Sequence, residues 1–401
     1  MTEQKKLKGR IRERSARTGE TYTSARRQVL AKAGRGAAAS LPEGVLAGYP
    51  AFGAKAHRGS ALLAHLLAQA GVTAPHTGQP YTEPMLAGLA GGIGFMYAVF
   101  EYKGWHPIMT IVAQHHPAPW IPTALDHLGL PYVEQHTTRA AIAGPRLRAA
   151  LDGGRAVLCS VDRGKLPWHA GGPDTHTEPY GVVVAGRDGD ALWLDDNEPA
   201  PTALSEEDFV AAWSSHAKGR HHMLTVGDAA SVPVDLATAV RAAVRMTVAH
   251  LTGPVLGHSF DVNFGFSGMA RLADQLRDDK GRTGWARRFN TPDLFALGMR
   301  RLYECLEREY TAPGGTRPIY ADFLVEASPL LSGAAVEGLL EAARLLREAG
   351  ALWSRIAATA AGASYPPDDD ARRGLHADLA DLVDTARVLE ERAAAALTSS
   401  I

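Results

Sequence analysis

The feature that most constrains the fold is a change of hydrophobic pattern near residue 215. Before it, short apolar runs such as 108–112 and 156–161 are typical of buried strands. After it, apolar residues recur at helical spacing, which predicts helices over 232–252, 266–280, 292–310, 317–328 and 333–360. The chain is therefore predicted to be α+β, with an α/β N-terminal domain over 45–215 and an all-α C-terminal domain over 216–362.

Two local patterns place elements within the first domain. Val182–Val184 and Ala191–Leu194 flank a turn rich in Gly and Asp, and this predicts a β-hairpin. The apolar stripe from Leu62 to Ala70 predicts a helix. Thr82 is a candidate N-cap for a short helix that follows.

The tail of the chain predicts one further helix. Residues 364–371 (SYPPDDDA) interrupt the helical pattern, and 370–398 then carry apolar residues at heptad-like spacing. Such a stripe fits packing on the chain's own helical domain. It also fits pairing with a second copy as a homodimer.

Charge is concentrated at the start of the chain. Residues 1–35 contain eleven Lys or Arg and three Glu, although the whole chain has a formal net charge of −1. A basic helical extension over 1–36 fits either a solvated arm or a segment that binds nucleic acid.

Cysteine content and hydropathy indicate the cellular compartment in which the chain is expected. Cys159 and Cys305 are the two cysteines and lie far apart in sequence, so no disulfide framework is predicted and a reducing compartment fits. No apolar run of about 18 residues occurs, so no membrane contact is expected. The expected location is the cytoplasm.

Several motifs, taken in order, resemble one known family. His57-Arg58-Gly59-Ser60 opens a helix and is followed by TEPMLAGLAGGIGFMYAVFEY, while FGFSGMA at 264–270 and RPIYADFLVE at 317–326 lie in the second half. Over about 45–360 the chain resembles the butirosin biosynthesis protein H family. The resemblance covers that family's N-terminal domain and its uncharacterised C-terminal helical domain.

The resemblance implies a fold, an activity and partners. The N-terminal domain would be papain-like, that is, related to cysteine peptidases. The activity would be an acyltransferase reaction of secondary metabolite biosynthesis, which moves an acyl group from an acyl carrier protein or a small-molecule thioester to a small-molecule amine. That reaction needs a thiolate at a helix N-terminus, a His on a strand and an Asp or Asn that orients the His.

This sequence departs from the family pattern at two of those three positions. Arg58 stands where the family has its Cys, and a guanidinium cannot attack a thioester because it stays protonated. The expected His position falls at Tyr180 or Gly181. The acid remains, as Asp195 or Asp196.

Other residues could take over catalytic roles. Ser60 is a candidate nucleophile, although a capping or packing role is the simpler interpretation. His57 and His176 are candidate bases, with structural or loop roles as the alternatives. Cys159 lies within an apolar run and is expected to be an inert core residue.

The remaining candidates concern ligand binding. Gly91, Gly92 and Gly94 do not fit a nucleotide-binding motif, but they permit close backbone approach and could line a substrate cleft. Arg317 could bind an anionic group such as a phosphate. The sixteen His residues show no zinc-type spacing, so neither a metal nor another cofactor is predicted.

Three functions follow from these patterns. The first is acyl transfer by a butirosin H-like enzyme. The second is a catalytically inactive relative, a pseudoenzyme that binds a metabolite or peptide as an accessory protein. The third gives the basic extension at 1–36 a nucleic acid partner.

Overall fold

A computed structural model describes residues 41–50, 52–53, 55–169, 179–198, 200–215 and 220–401. The extension at 1–36 and His176 lie outside the described residues. The strands in the described part of the chain are β1 (Ile93–Phe100), β2 (Ile108–Gln114), β3 (Tyr132–Gln135), β4 (Val157–Asp162), β5 (Pro179–Asp188), β6 (Ala191–Asp195), β7 (Thr202–Ser205) and β8 (Met223–Val226).

Helices occupy much of the rest. They are α1 (Arg58–Gln69), α2 (Glu83–Leu89), α3 (Trp120–Leu128), α4 (Ala140–Asp152), α5 (Glu206–Trp213), α6 (Leu236–Thr252), α7 (Gly265–Arg277), α8 (Trp285–Arg288), α9 (Pro292–Glu307), α10 (Arg317–Ala327), α11 (Ala334–Gly362) and α12 (Asp369–Thr398). Short 3-10 turns cover Arg163–Lys165, Ser259–Asn263 and Ser328–Leu330. The predicted order of an α/β region followed by an all-α region is confirmed.

The chain folds into two compact units, and each unit contains two separate stretches of the sequence. The first unit contains the described residues up to Tyr81 together with Gly129–Pro233, and the second contains Thr82–Leu128 together with Val234–Ile401. This grouping differs from the predicted domain boundary near 215. Residues 82–128 precede the sheet in sequence, but their strands pack on the helices of the second unit: β1 contacts α7, and β2 contacts α9.

The first unit is built on a six-stranded sheet in the order β3-β8-β4-β5-β6-β7, with all neighbours antiparallel. The predicted hairpin is present as β5 and β6. Because side chains alternate along a strand, one face carries Val157, Cys159 and Val161, which form a buried core with residues of α4 and α5. Helix α1 contacts β5 and β8.

The second unit joins the β1–β2 hairpin to a bundle of helices. Side-chain caps begin several of them: Thr82 accepts a hydrogen bond from the Met85 amide at α2, and Asp368 accepts one from the Ala371 amide at α12. The apolar stripe of α12 is packed within this unit, against α6, α7 and α11. None of the helices in the described part of the chain combines the length and the apolar character that a membrane span requires.

A buried ion pair links five elements of the second unit. Arg317 and Glu390 are both fully buried, and the guanidinium Nε and Nη2 donate to the two carboxylate oxygens at 2.9 Å. The Arg317 guanidinium also donates to the carbonyl oxygens of Ala113 and Gly94, and Trp353 Nε1 donates to Glu390. The charge of Arg317 is thus fully used in holding β1 and β2 against α12.

Replacing Glu390 by Gln tests this ion pair. The variant leaves a buried guanidinium without a countercharge, so we expect a loss of about 3–5 kcal/mol in the free energy of unfolding. Urea unfolding followed by tryptophan fluorescence measures it. Glu391 is the control, because its side chain is 40% exposed and pairs with Arg387, and Glu391→Gln should cost less than about 1 kcal/mol. Equal losses in the two variants would contradict the assignment.

Candidate functional site

The N-terminus of α1 is capped by a buried His–Ser pair. His57 Nδ1 accepts a hydrogen bond from the Ser60 amide at 3.1 Å and lies 2.8 Å from the Ser60 hydroxyl. Ser60 is 0% exposed. The hydroxyl that we considered as a nucleophile is therefore engaged within the cap and has no access to solvent.

Arg58, the next residue after the cap, crosses from α1 to the sheet. Its Nε donates to Asp196 Oδ1 at 3.0 Å, and its Nη2 contacts both Asp196 and the carbonyl oxygen of Gly181. The guanidinium carbon lies 3.8 Å from the centre of the Tyr180 ring. Arg58, Tyr180 and Asp196, which are distant in sequence, thus form one cluster through an ion pair and a cation–π contact.

Asp196 is the centre of this cluster. It follows β6 directly, and its second oxygen accepts hydrogen bonds from Trp168 Nε1 at 2.8 Å and from His169 Nε2 at 2.7 Å. Burial raises the pKa of the carboxyl. The positive charge of Arg58 and the hydrogen bonds from His169 and Trp168 outweigh burial and hold the pKa at about 2. Asp196 is therefore ionised at neutral pH.

Asp195 has a separate set of partners. Its carboxylate accepts hydrogen bonds from Tyr49 Oη at 2.7 Å, His65 Nδ1 at 2.5 Å and the Asn197 amide at 2.9 Å. Burial raises its pKa, but these hydrogen bonds, led by that from His65, leave it below the ordinary value. Asp195 thus fixes the end of β6 to α1, while Asp196 faces Arg58.

Tyr180 stands in the region where the family resemblance implies a His. Burial raises the pKa of its phenol, so the hydroxyl stays protonated, and its oxygen lies 3.4 Å from His169 Nε2. Gly181 contributes only its backbone carbonyl. The structure therefore brings the three expected positions together, with a cation, a phenol and a carboxylate in them.

Two other candidate residues are buried and have structural roles. Cys159 belongs to the buried core that the sheet forms with α4 and α5, and burial raises the pKa of its thiol well above the ordinary value. Arg317 is enclosed by its buried ion pair, as described above, so the structure gives it a structural contact in place of the anion contact that we predicted. Among the described residues, no group of three or more His, Cys, Asp or Glu side chains could hold a metal ion.

The glycines at 91, 92 and 94 belong to the second unit and allow close packing there. A Cβ at Gly91 would lie 2.7 Å from the His115 ring, one at Gly92 2.1 Å from the Tyr320 ring, and one at Gly94 2.6 Å from the His250 ring. Gly91 and Gly92 also have positive φ angles of 95° and 63°. The close approach that we predicted is present, and protein side chains make it.

Four residues of the site were not identified from the sequence: Trp168 and His169, which hold Asp196, and Tyr49 and His65, which hold Asp195. His65 lies inside the apolar stripe of α1, where a buried polar side chain indicates a partner elsewhere. The partner itself is 130 residues away, and no local pattern identifies it.

The Asp196 pKa predicts a pH-dependent contribution to stability. A carboxyl whose pKa falls from 3.8 to about 2 on folding stabilises the native state above pH 4 and loses this contribution as the pH falls towards 2. We expect the difference in unfolding free energy between wild type and Asp196→Asn to shrink by about 2 kcal/mol between pH 6 and pH 2. Urea titrations at both pH values measure it, and a difference that does not change with pH would contradict the ion pair.

Comparison with known proteins agrees with the order of the two regions. Residues 57–197 match the family described as Butirosin biosynthesis protein H, N-terminal, and residues 210–397 match Domain of unknown function (DUF4872). No curated protein matches the sequence. A crystal structure from Bacillus anthracis, described as a candidate C39-like peptidase, is 15% identical with a TM-score of 0.31, and the alignment covers 46% of this chain and 98% of that one. The chain therefore belongs to the butirosin biosynthesis protein H family through its N-terminal domain, and the domain of unknown function follows that domain in sequence.

Proposed function

We propose that this chain is a catalytically inactive relative within the family, which serves secondary metabolism by binding a metabolite, peptide or acyl thioester without forming a covalent intermediate. The observation that carries the proposal is the contact of Arg58 with Asp196 and Gly181. This contact occupies the position from which a thiolate would attack. It also engages one oxygen, Oδ1, of the carboxylate that would orient an imidazolium partner.

The nucleophiles elsewhere in the described chain support the same conclusion. The Ser60 hydroxyl is buried in the cap of α1. The residues Cys159 and Cys305 are also buried, with 0% and 1% of their surface exposed. Burial raises the pKa of Cys305 to about 11, so little thiolate forms at neutral pH. A substrate at the Arg58 cluster therefore meets a fixed positive charge and a neutral phenol.

Intact-mass analysis tests the loss of covalent chemistry. We expect the full chain, incubated with acetyl- and benzoyl-pantetheine, to show no acyl adduct, and Ser60→Ala to behave identically. We expect Arg58→Cys to gain one acyl group by thioester exchange, in which the introduced thiolate attacks the carbonyl and pantetheine leaves as its thiolate. A wild-type adduct that disappears in Ser60→Ala would refute the proposal.

Binding is measured in the same samples. A ligand that binds the native state raises the melting temperature, so we expect a concentration-dependent rise of Tm with the pantetheine thioesters. The absence of any rise at millimolar concentration would rule out a thioester as the bound molecule.

The contact between His169 and Asp196 favours a second candidate function, acyl transfer without a covalent intermediate. In the tautomer that donates its Nε2 proton to Asp196, Nδ1 is the acceptor, and His169 would then act as the general base. The amine would attack the thioester carbonyl, lose its proton to His169 and form an amide, and the thiol would leave. An acyl carrier protein thioester and a small-molecule amine are the substrates that this candidate requires.

Product analysis separates the two functions. Amide formation from a thioester and an amine, without an adduct and abolished in His169→Gln, would establish the second function and exclude the first. His222 is the matched control because it also pairs with a carboxylate in the same unit, at 2.6 Å from Glu134, and His222→Gln should leave any such activity unchanged. We expect no amide from the wild-type chain.

A further inference from the structure

The second unit contains an open cavity of about 330 Å³, which lies between the end of β1 and helices α7 and α8. This volume is in the range of pockets that hold small molecules. It is lined by Ala98, Val99, Phe100, Ser259, Phe260, Val262, Asn263, Arg271, Gln275 and Arg288.

The charge of the lining is positive. Arg271 and Arg288 both line the cavity, and none of the lining residues is acidic. The nearest turn does contain Asp261, but its carboxylate accepts hydrogen bonds from the four backbone amides of residues 255–258 and is used there. Glu101 lies outside the lining, but both of its carboxylate oxygens accept hydrogen bonds from Arg288, from Nε and Nη2 at 3.3 Å, so the positive charge that remains for the cavity is that of Arg271.

The two arginines are held differently. Arg288 is fixed by the carbonyl oxygen of Thr283 at 2.9 Å and by Gln275 Oε1 at 3.1 Å. Arg271 is half-buried, and among the described residues no acceptor forms a hydrogen bond or ion pair with it. Its guanidinium therefore keeps its donors for a group that enters the cavity.

A chain of hydrogen bonds orients the amide of Gln275 in the same place. Tyr97 Oη accepts a bond from Trp285 Nε1 at 2.9 Å and donates its proton to Gln275 Oε1 at 2.8 Å. The same Oε1 accepts from Arg288, so the oxygen is fully used and the Nε2 group is fixed as the remaining donor. Gln275 is 6% exposed, and its Nε2 has no hydrogen bond to a described residue.

Apolar side chains form the rest of the lining. Phe100 and Phe260 are half-buried, Ala98 is buried, and Val262 is 51% exposed at the rim. Aromatic and aliphatic surface of this kind binds a flat apolar body, while the donors of Arg271 and the Gln275 Nε2 group favour an acceptor with negative charge.

We propose that this cavity is a binding site for a small organic anion, a carboxylate or phosphate attached to an aromatic or aliphatic body. The anionic group contacts Arg271 and the Gln275 amide, and the body lies against Phe100 and Phe260. The site lies entirely within the second unit and is independent of the function proposed for the Arg58 cluster.

Isothermal titration calorimetry of the full chain tests the site with defined probes. Benzoate and phenyl phosphate carry both features, benzamide and benzyl alcohol lack the charge, and inorganic phosphate lacks the apolar body. We expect binding of benzoate or phenyl phosphate that weakens as salt is raised, with at least tenfold weaker binding of the neutral analogues. A preference for one of the two organic anions identifies the acidic group.

Variants of Arg271 locate the binding. Arg271→Met removes the charge and no hydrogen bond of the described structure, so the fold is retained while affinity falls at least tenfold; Arg271→Lys should fall between this variant and wild type. Arg300→Met is the control, because Arg300 is exposed on α9 and lies outside the cavity lining. Absence of organic anion binding to wild type, equal binding of benzamide, or unchanged affinity in Arg271→Met would each overturn the proposal.

Discussion

The first unit depends on how it accommodates a positive charge at the N-terminus of α1. The unsatisfied amides and the helix dipole make this end electropositive, which favours an anion and disfavours a cation. Arg58 is nevertheless the first residue of the helix, and Asp196 and the Tyr180 ring compensate for it. The same dipole would stabilise a thiolate at this place, whereas the cation of Arg58 has the opposite electrostatic requirement and is balanced by the carboxylate of Asp196 beside it.

The elements that were predicted correctly from the sequence are those with a clear local pattern of apolar residues. The long helices from α6 onward were predicted within a few residues, since their apolar spacing persists over several turns, whereas α3 and the short α8 of the same unit were not predicted. Helix α4 was not identified, because Pro145 lies inside it and Arg139 provides no side-chain cap. Strand β1 was not identified either, because Gly94 interrupts it and its residues up to Ala98 are buried on both faces, so that no alternation is visible.

The three positions of the candidate site could be predicted from the order of motifs along the chain. The sequence identifies Arg58, offers Tyr180 or Gly181 for the second position and Asp195 or Asp196 for the third, and the structure places Asp196 at Arg58. What the order of residues could not indicate was how their charges are balanced. Tyr49 and His65 hydrogen-bond to Asp195, whereas Trp168 and His169 hydrogen-bond to Asp196. This division depends on the directions in which the two adjacent carboxylates point after β6. Arg317 illustrates the same difficulty, since its partner Glu390 lies 73 residues away.

The assignment of residues 82–128 to the second unit has a consequence for synthesis of the chain. The β1–β2 hairpin leaves the ribosome well before α10 and α12, which hold it through Arg317 and Glu390. At about 5–20 residues per second, the interval is on the order of tens of seconds. During translation the first unit can therefore complete its sheet while the apolar β1–β2 hairpin, which precedes that sheet in sequence, still lacks its packing partners. The nascent chain must keep this segment from aggregating over that interval.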